Sequence, residues 1–356
     1  MRWAVRLIIL SFVFLSVVHL ALPAQDHEER ESRHENASQA TPPVPPGPAR
    51  GAMVDFLLDR TLKIPSQPIR GLAFGGGPSM LAALGNDAYV PVWNAATGNL
   101  LKTIALADHP KSVSCIAFSP DGKWMVVGEA FTKAEIFTGR IELLDTGAGR
   151  EVRGLATHHW EVESVALSRD GKWLVSSNWD RKVRVLEFPS GKQVRDFESA
   201  SKPRCVAISL DSKAIASGGM DSTVTLWDRE GGRVLHRLTG HSGGILSISF
   251  SPDGQHLASA SADGSARIWN VSMGESLYTL SGHVGAVLAA VFSPDGKFVV
   301  SGGADGTLRF WEAATGQNLK TLGAHSAVWQ VAFSSDGKYL AAGYADGTIN
   351  IWKKLE

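Results

Sequence analysis

"SADGSARIWN" at residues 261–270, "GADGTLRFWE" at 303–312 and "YADGTINIWK" at 344–353 are one pattern written three times: an Asp-Gly turn, a short strand and a tryptophan. Glycine accepts the positive φ of a tight hairpin turn, and alternating apolar and polar residues bury one face of a strand. Followed along the chain, the tryptophan position falls at Trp93, Leu144, Leu186, Trp227, Trp269, Trp311 and Trp352, with steps of 51, 42, 41, 42, 42 and 41 residues. Within the fifth unit, "ILSISF", "HLASAS", "ARIWN" and "SLYTL" supply four strands, the first two joined by "SPDG" and the next two by "ADG".

A period near 42 with four short strands per unit predicts an all-β, seven-bladed β-propeller of four-stranded antiparallel blades. The seventh unit stops at "INIWKKLE", one outer strand short. Residues 54–63, "VDFLLDRTLK", precede "IRGLAF" as "GQNLKTL" precedes "VWQVAF". They are therefore expected to pair with residues 349–353 and close the ring, which removes its open edge. The second unit is longer by about nine residues, in "GEAFTKAEIFTGR" (128–140). That excess predicts an extended hairpin between its second and third strands.

From about 53 to 353 the chain resembles the WD40 repeat family, with "GH" at 240 and 282, "SPDG" at 119, 251 and 293, and "WD" at 227. It departs from the family pattern where Asn94, Asn270, Glu312 and Lys353 follow the tryptophan, and where Leu144 and Leu186 replace it. The resemblance implies buried polar sets that tie the strands of a blade together: His241, Ser259, Asp263, Trp269 and His283, Ser301, Asp305, Trp311. The seventh unit has His325, Asp346 and Trp352 but Ala342 for serine, and the fourth lacks the histidine. The third has His158 or His159, Ser176 and Asp180 but Leu186, and the first keeps only Asp87 and Trp93. The close similarity of the units, with repeated "SPDGK", resembles exported, bacterial-type members.

Ahead of the repeats, Arg2 and Arg6 precede "LIILSFVFLSVVHLAL", followed by "PAQ", so residues 1–24 read as a secretory signal cleaved after Ala24. The alternative is that the run stays as a membrane anchor. Residues 25–52, charged and then Pro-rich, read as a disordered linker, and residues 53–356 as the propeller. Export places the chain in the periplasm or outside the cell. Cys115 and Cys205, alone and in non-adjacent blades, are expected to be buried free thiols.

Lys plus Arg is 35 and Asp plus Glu is 35, so no net field attracts nucleic acid, and no nucleic-acid partner is expected. Neither a metal-ligand cluster nor a nucleophile with its base stands out, and the Gly-rich turns are not followed by helices that could cradle phosphate. No cofactor is expected, and the chain reads as a monomeric, non-catalytic scaffold for another protein or peptide. One position, four residues before the last apolar residue of each inner strand, varies between units while its neighbours repeat: Arg70, Ser114, Glu163, Arg204, Leu246, Leu288 and Trp329. By the resemblance it rings the central opening of the top face. With Trp160, Trp179, Met220 and Tyr344 it forms the candidate partner surface, since aromatics, Met and Arg are enriched at interfaces. The alternative is an enzyme or a small-ligand site at the channel mouth, where Arg70, Glu163 and Arg204 suit an anion.

Overall fold

Each repeat unit becomes one four-stranded antiparallel sheet, and seven such sheets contain the twenty-eight strands of the described residues, which include no helix. The computed structural model describes residues 55–355, apart from 66, 67, 76, 78, 107–111, 134, 135 and 324. The expected signal and linker, residues 1–52, lie outside the described residues.

In the fifth blade the strands are Ile245–Phe250, His256–Ser261, Ser265–Asn270 and Glu275–Ser281, hydrogen-bonded in chain order. The second strand is buried on both faces, the third is partly buried at Ser265, Arg267 and Asn270, and the fourth is largely exposed, as for a sheet whose outer strand meets solvent. Apolar side chains pack between blades. Trp269 of blade five is buried against Leu226 and Leu238 of blade four, and Trp311 of blade six against Ala258 and Ile268 of blade five. Each tryptophan of the repeat therefore joins its blade to the one before, which accounts for its periodic recurrence.

The turn ahead of the third strand explains the glycine: Gly264 has φ 84°. Blades three and four break the Asp-Gly pattern there, and Arg181 and Ser222 take up the left-handed conformation at φ 68° and 64°.

Closure follows the expected pairing. Phe56–Lys63 is antiparallel to Thr348–Lys354, and the Thr61 hydroxyl donates to Asn350 Oδ1 at 2.8 Å. Phe56 locks the seam: its ring lies 6.1 Å from Phe310, 6.4 Å from Phe298 and 6.0 Å from Phe333. The long second unit forms the extended hairpin, with Trp124–Lys133 and Ile136–Asp145 paired as far as Lys133 and Ile136.

Candidate functional site: the mouth of the central channel

The blades that surround the channel are fixed by buried polar chains. In blade five the Trp269 indole N–H donates to Ser259 Oγ (2.8 Å), the Ser259 hydroxyl pairs with His241 Nε2 (2.8 Å), and His241 Nδ1 meets Asp263 Oδ2 (2.8 Å). One tautomer satisfies every link: Nδ1–H donates to the carboxylate and Nε2 accepts from serine. Burial raises the Asp263 carboxyl, but hydrogen bonds from the Ser265 hydroxyl, the Ser242 N–H and His241 outweigh it and bring it down to about 2. Blade six repeats the chain through Trp311, Ser301, His283 and Asp305 at 2.8, 2.7 and 3.1 Å.

The Asp–His–Ser connectivity is that of a hydrolase triad. The surroundings are different: Ser259 and Ser301 have zero exposure and each oxygen also accepts an indole N–H. A substrate carbonyl has no approach to either, so these sets hold blades together. Among the described residues no three His, Cys, Asp or Glu side chains gather as a metal would require.

Blade three has lost this order. His158 Nε2 meets Ser176 Oγ at 3.2 Å, but Nδ1 is buried without a hydrogen bond, and Asp180 pairs with Arg184 at 3.5 Å instead. Asn178, at the end of the second strand, is fully buried with neither amide atom bonded.

Six inner strands carry a β-bulge near their first residue. The register steps over one residue between Val113 and Cys115, Val162 and Ser164, Pro203 and Cys205, Ile245 and Ser247, Val287 and Ala289, and Val328 and Gln330. The residues passed over are Ser114, Glu163, Arg204, Leu246, Leu288 and Trp329. Arg70 stands just ahead of the seventh inner strand, Gly71–Gly75, its N–H bonded to the Leu84 carbonyl at 2.8 Å. A bulge leaves its extra residue unpaired, bends the strand and re-aims the side chain. The variable position of the repeat is thus the bulged position, with Arg204 exposed and the other six partly so.

Bonds between neighbouring inner strands hold this ring. Gln330 Nε2 donates to the Arg70 carbonyl at 2.9 Å, the Ser114 hydroxyl to the Val162 carbonyl, and the Val206 N–H to Ser164 Oγ at 3.2 Å. Burial is the main cause that raises the Glu163 carboxyl, to about 7, while Arg204 and Arg70 favour its charged form. Burial likewise pushes the thiols of Cys115 and Cys205, beside two of the bulges, up to about 12; both are free.

Of the other candidate surface residues, Trp160 and Met220 are 49% and 56% exposed, and Trp179 is partly exposed with Lys202 Nζ 4.6 Å from its ring centroid. The candidate set lacks Lys202 and also Val284, 78% exposed next to His283, because lysine and valine are not among the interface-enriched residue types that brought in Trp160, Trp179 and Met220. Tyr344 is a correction. It is 2% exposed and its hydroxyl accepts from Asn350 Nδ2 at 3.4 Å, so it is a packing residue. In blade six the same position is Gly303, where a Cβ would stand 2.3 Å from His283 Nδ1 and 2.5 Å from Asp305 Oδ1. Blade seven lacks that pair, since His325 is exposed, and the tyrosine is buried at that position.

A ring of seven four-stranded blades with these polar chains defines a repeat propeller. Comparison with known proteins agrees: the profile of the IFT122 first beta-propeller matches residues 204–356, and that of the WD domain, G-beta repeat, matches residues 98–131 and 149–186. Both matches, and the relatives that follow, support assignment of the repeats to the WD40 repeat family. It is 30% identical over 205 residues to the periodic tryptophan protein 2 homolog of Mus musculus, covering 56% of this chain and 21% of that one. Nuclear distribution protein nudF of Aspergillus niger is 28% identical over 219 residues, 55% of this chain and 48% of the relative. Autophagy-related protein 16 of Arabidopsis thaliana is 24% identical over 170 residues, 47% and 31%. The chain thus spans less than half the length of each of these relatives, all of which are eukaryotic, and they lend no support to a bacterial-type assignment.

Proposed function

We propose that the chain is a non-catalytic scaffold that binds another protein or peptide through the top face of the propeller. The observation that carries this reading is the set of bulges: where the inner strands pair regularly their residues recur, and at the bulged position they do not. Arg70, Glu163, Arg204 and Trp329, with Trp160, Trp179 and Met220 beside them, are residue types that dominate binding energy at protein interfaces. Affinity capture with the wild type and an Arg204→Ala, Trp329→Ala variant tests it. The variant is expected to lose specific partners, and equal recovery of the same proteins refutes the surface.

A second reading, a small-anion site at the mouth, draws on Arg70 Nε, which is buried without a hydrogen bond, and on the exposed Arg204. It predicts a rise in melting temperature with anionic metabolites, lost in Arg70→Ala. The N-terminal pattern supports export, and sequencing of the mature N-terminus tests it: Gln25 is expected after cleavage, and Met1 indicates an anchor.

A further inference from the structure

Because blades follow one another around the ring in chain order, the seven mouth residues fall into two continuous arcs. Blades five, six and seven supply Leu246, Leu288 and Trp329, all partly exposed and apolar. Blades one to four supply Arg70, Ser114, Glu163 and Arg204. The mouth is therefore half apolar and half polar rather than mixed.

The polar arc is cationic. Among the described residues, neither Arg70 nor Arg204 has an ion pair, and Arg70 Nε is a buried donor with no acceptor. Both guanidiniums act on Glu163, the single carboxylate of the arc, whose burial keeps its carboxyl at about 7 and so leaves it partly protonated near neutrality. Lys202, stacked on Trp179, adds a further positive charge on the blade-four side. A buried donor without an acceptor is costly, and a carboxylate can satisfy a guanidinium with two parallel hydrogen bonds.

Resting on the reading of the top face as a protein-binding surface, we propose that the mouth receives an acidic, apolar peptide segment of a partner protein. Its Asp or Glu side chains lie against Arg70 and Arg204, and neighbouring Leu, Ile or Phe side chains against Leu246, Leu288 and Trp329. The apolar arc supplies contact area while the arginines select charge and register, as opposite charges do across interfaces.

The test selects random phage-displayed dodecapeptides on the immobilised full-length chain, then measures the binding of synthetic copies to variants whose melting matches the wild type. Selected peptides are expected to pair Asp or Glu with Leu, Ile or Phe and to bind Arg204→Glu about tenfold or more weakly, with Arg204→Lys near wild type. Peptides without acidic residues, peptides indifferent to Arg204→Glu, or no selected peptide overturn the proposal. If binding depends on Trp329 but not on charge at position 204, the top-face reading survives and the acidic partner does not. If neither substitution matters, both fall. Binding of a synthetic peptide of residues 25–52, or self-association lost in Arg204→Glu, gives the mouth to this chain's own segments and also overturns the proposal.

Discussion

Replacing Ser259 by alanine removes one oxygen from the centre of a blade and should be among the most damaging small substitutions in the chain. Its Oγ accepts from Trp269 Nε1 at 2.8 Å and donates to His241 Nε2 at 2.8 Å, in a site where Ser259 has zero exposure and Trp269 1%. The substitution strands one buried donor and one buried acceptor. At about 1–3 kcal/mol for each orphaned group, the loss is about 2–6 kcal/mol. Blade four offers an internal control, because Ser217 Oγ accepts from Trp227 Nε1 at 2.9 Å but has no histidine beside it. Ser217→Ala should cost about 1–3 kcal/mol, for one orphan. Ser177 is buried and already unbonded, so Ser177→Ala should not destabilise and should gain up to about 1–3 kcal/mol. Urea unfolding followed by tryptophan fluorescence ranks the three, provided the m-values agree. A double-mutant cycle of Ser259→Ala with Trp269→Phe should show coupling of about 1 kcal/mol. Equal losses for Ser259→Ala and Ser217→Ala, or a cycle with no coupling, would refute the account of the polar chain.

Three further outcomes follow from the same geometry. Deletion of residues 53–63 removes the strand paired with Thr348–Lys354 and the Phe56 ring from the seam, so the product should aggregate or fail to fold; a stable monomer in sedimentation refutes the closure argument. The Asp263 and Asp305 carboxyls lie at about 2, below the ordinary 3.8, so their stabilisation is complete above about pH 4 and is lost as pH falls towards 2. Stability from urea unfolding should therefore fall by more between pH 5 and pH 2 in the wild type than in Asp263→Asn, Asp305→Asn, which starts less stable and has less to lose; equal falls refute the assignment. Buried His158 is held at about 4 against an ordinary 6.5, so the native state resists its protonation; the neutral-form stability is full above pH 6.5 and declines down to about 4, as NMR of the ring would report.

The blades, their number and the closing strand were legible in the sequence, because Asp-Gly turns and alternation act locally and repeat. The variable ring was legible as a set of positions, but not its cause: a bulge is a property of pairing between two strands, and one strand's letters do not display it. Tyr344 misled for a related reason. As a lone aromatic at a strand end it resembled an interface residue, yet its counterparts Gly303 and Gly219 are small because histidine, serine or aspartate atoms stand where a side chain would go. In blade seven no such pair competes, and burial of the ring depends on that exchange across strands. Blade three's Asp180 was likewise expected beside histidine; Arg184, at i+4, captures it instead.

The closing pair also sets a timetable for synthesis. Thr61 and Asn350, which share a hydrogen bond, are separated by 289 residues, nearly the whole propeller. At about 5–20 residues per second, translation leaves Phe56–Lys63 waiting roughly 15–60 s for its partner. Six blades have emerged by then, and Leu57 and Leu58, exposed even in the finished ring, lie on a strand still free to pair elsewhere. Whatever attends the nascent chain during that interval has this segment to shield, and it is the first strand of the propeller to be made.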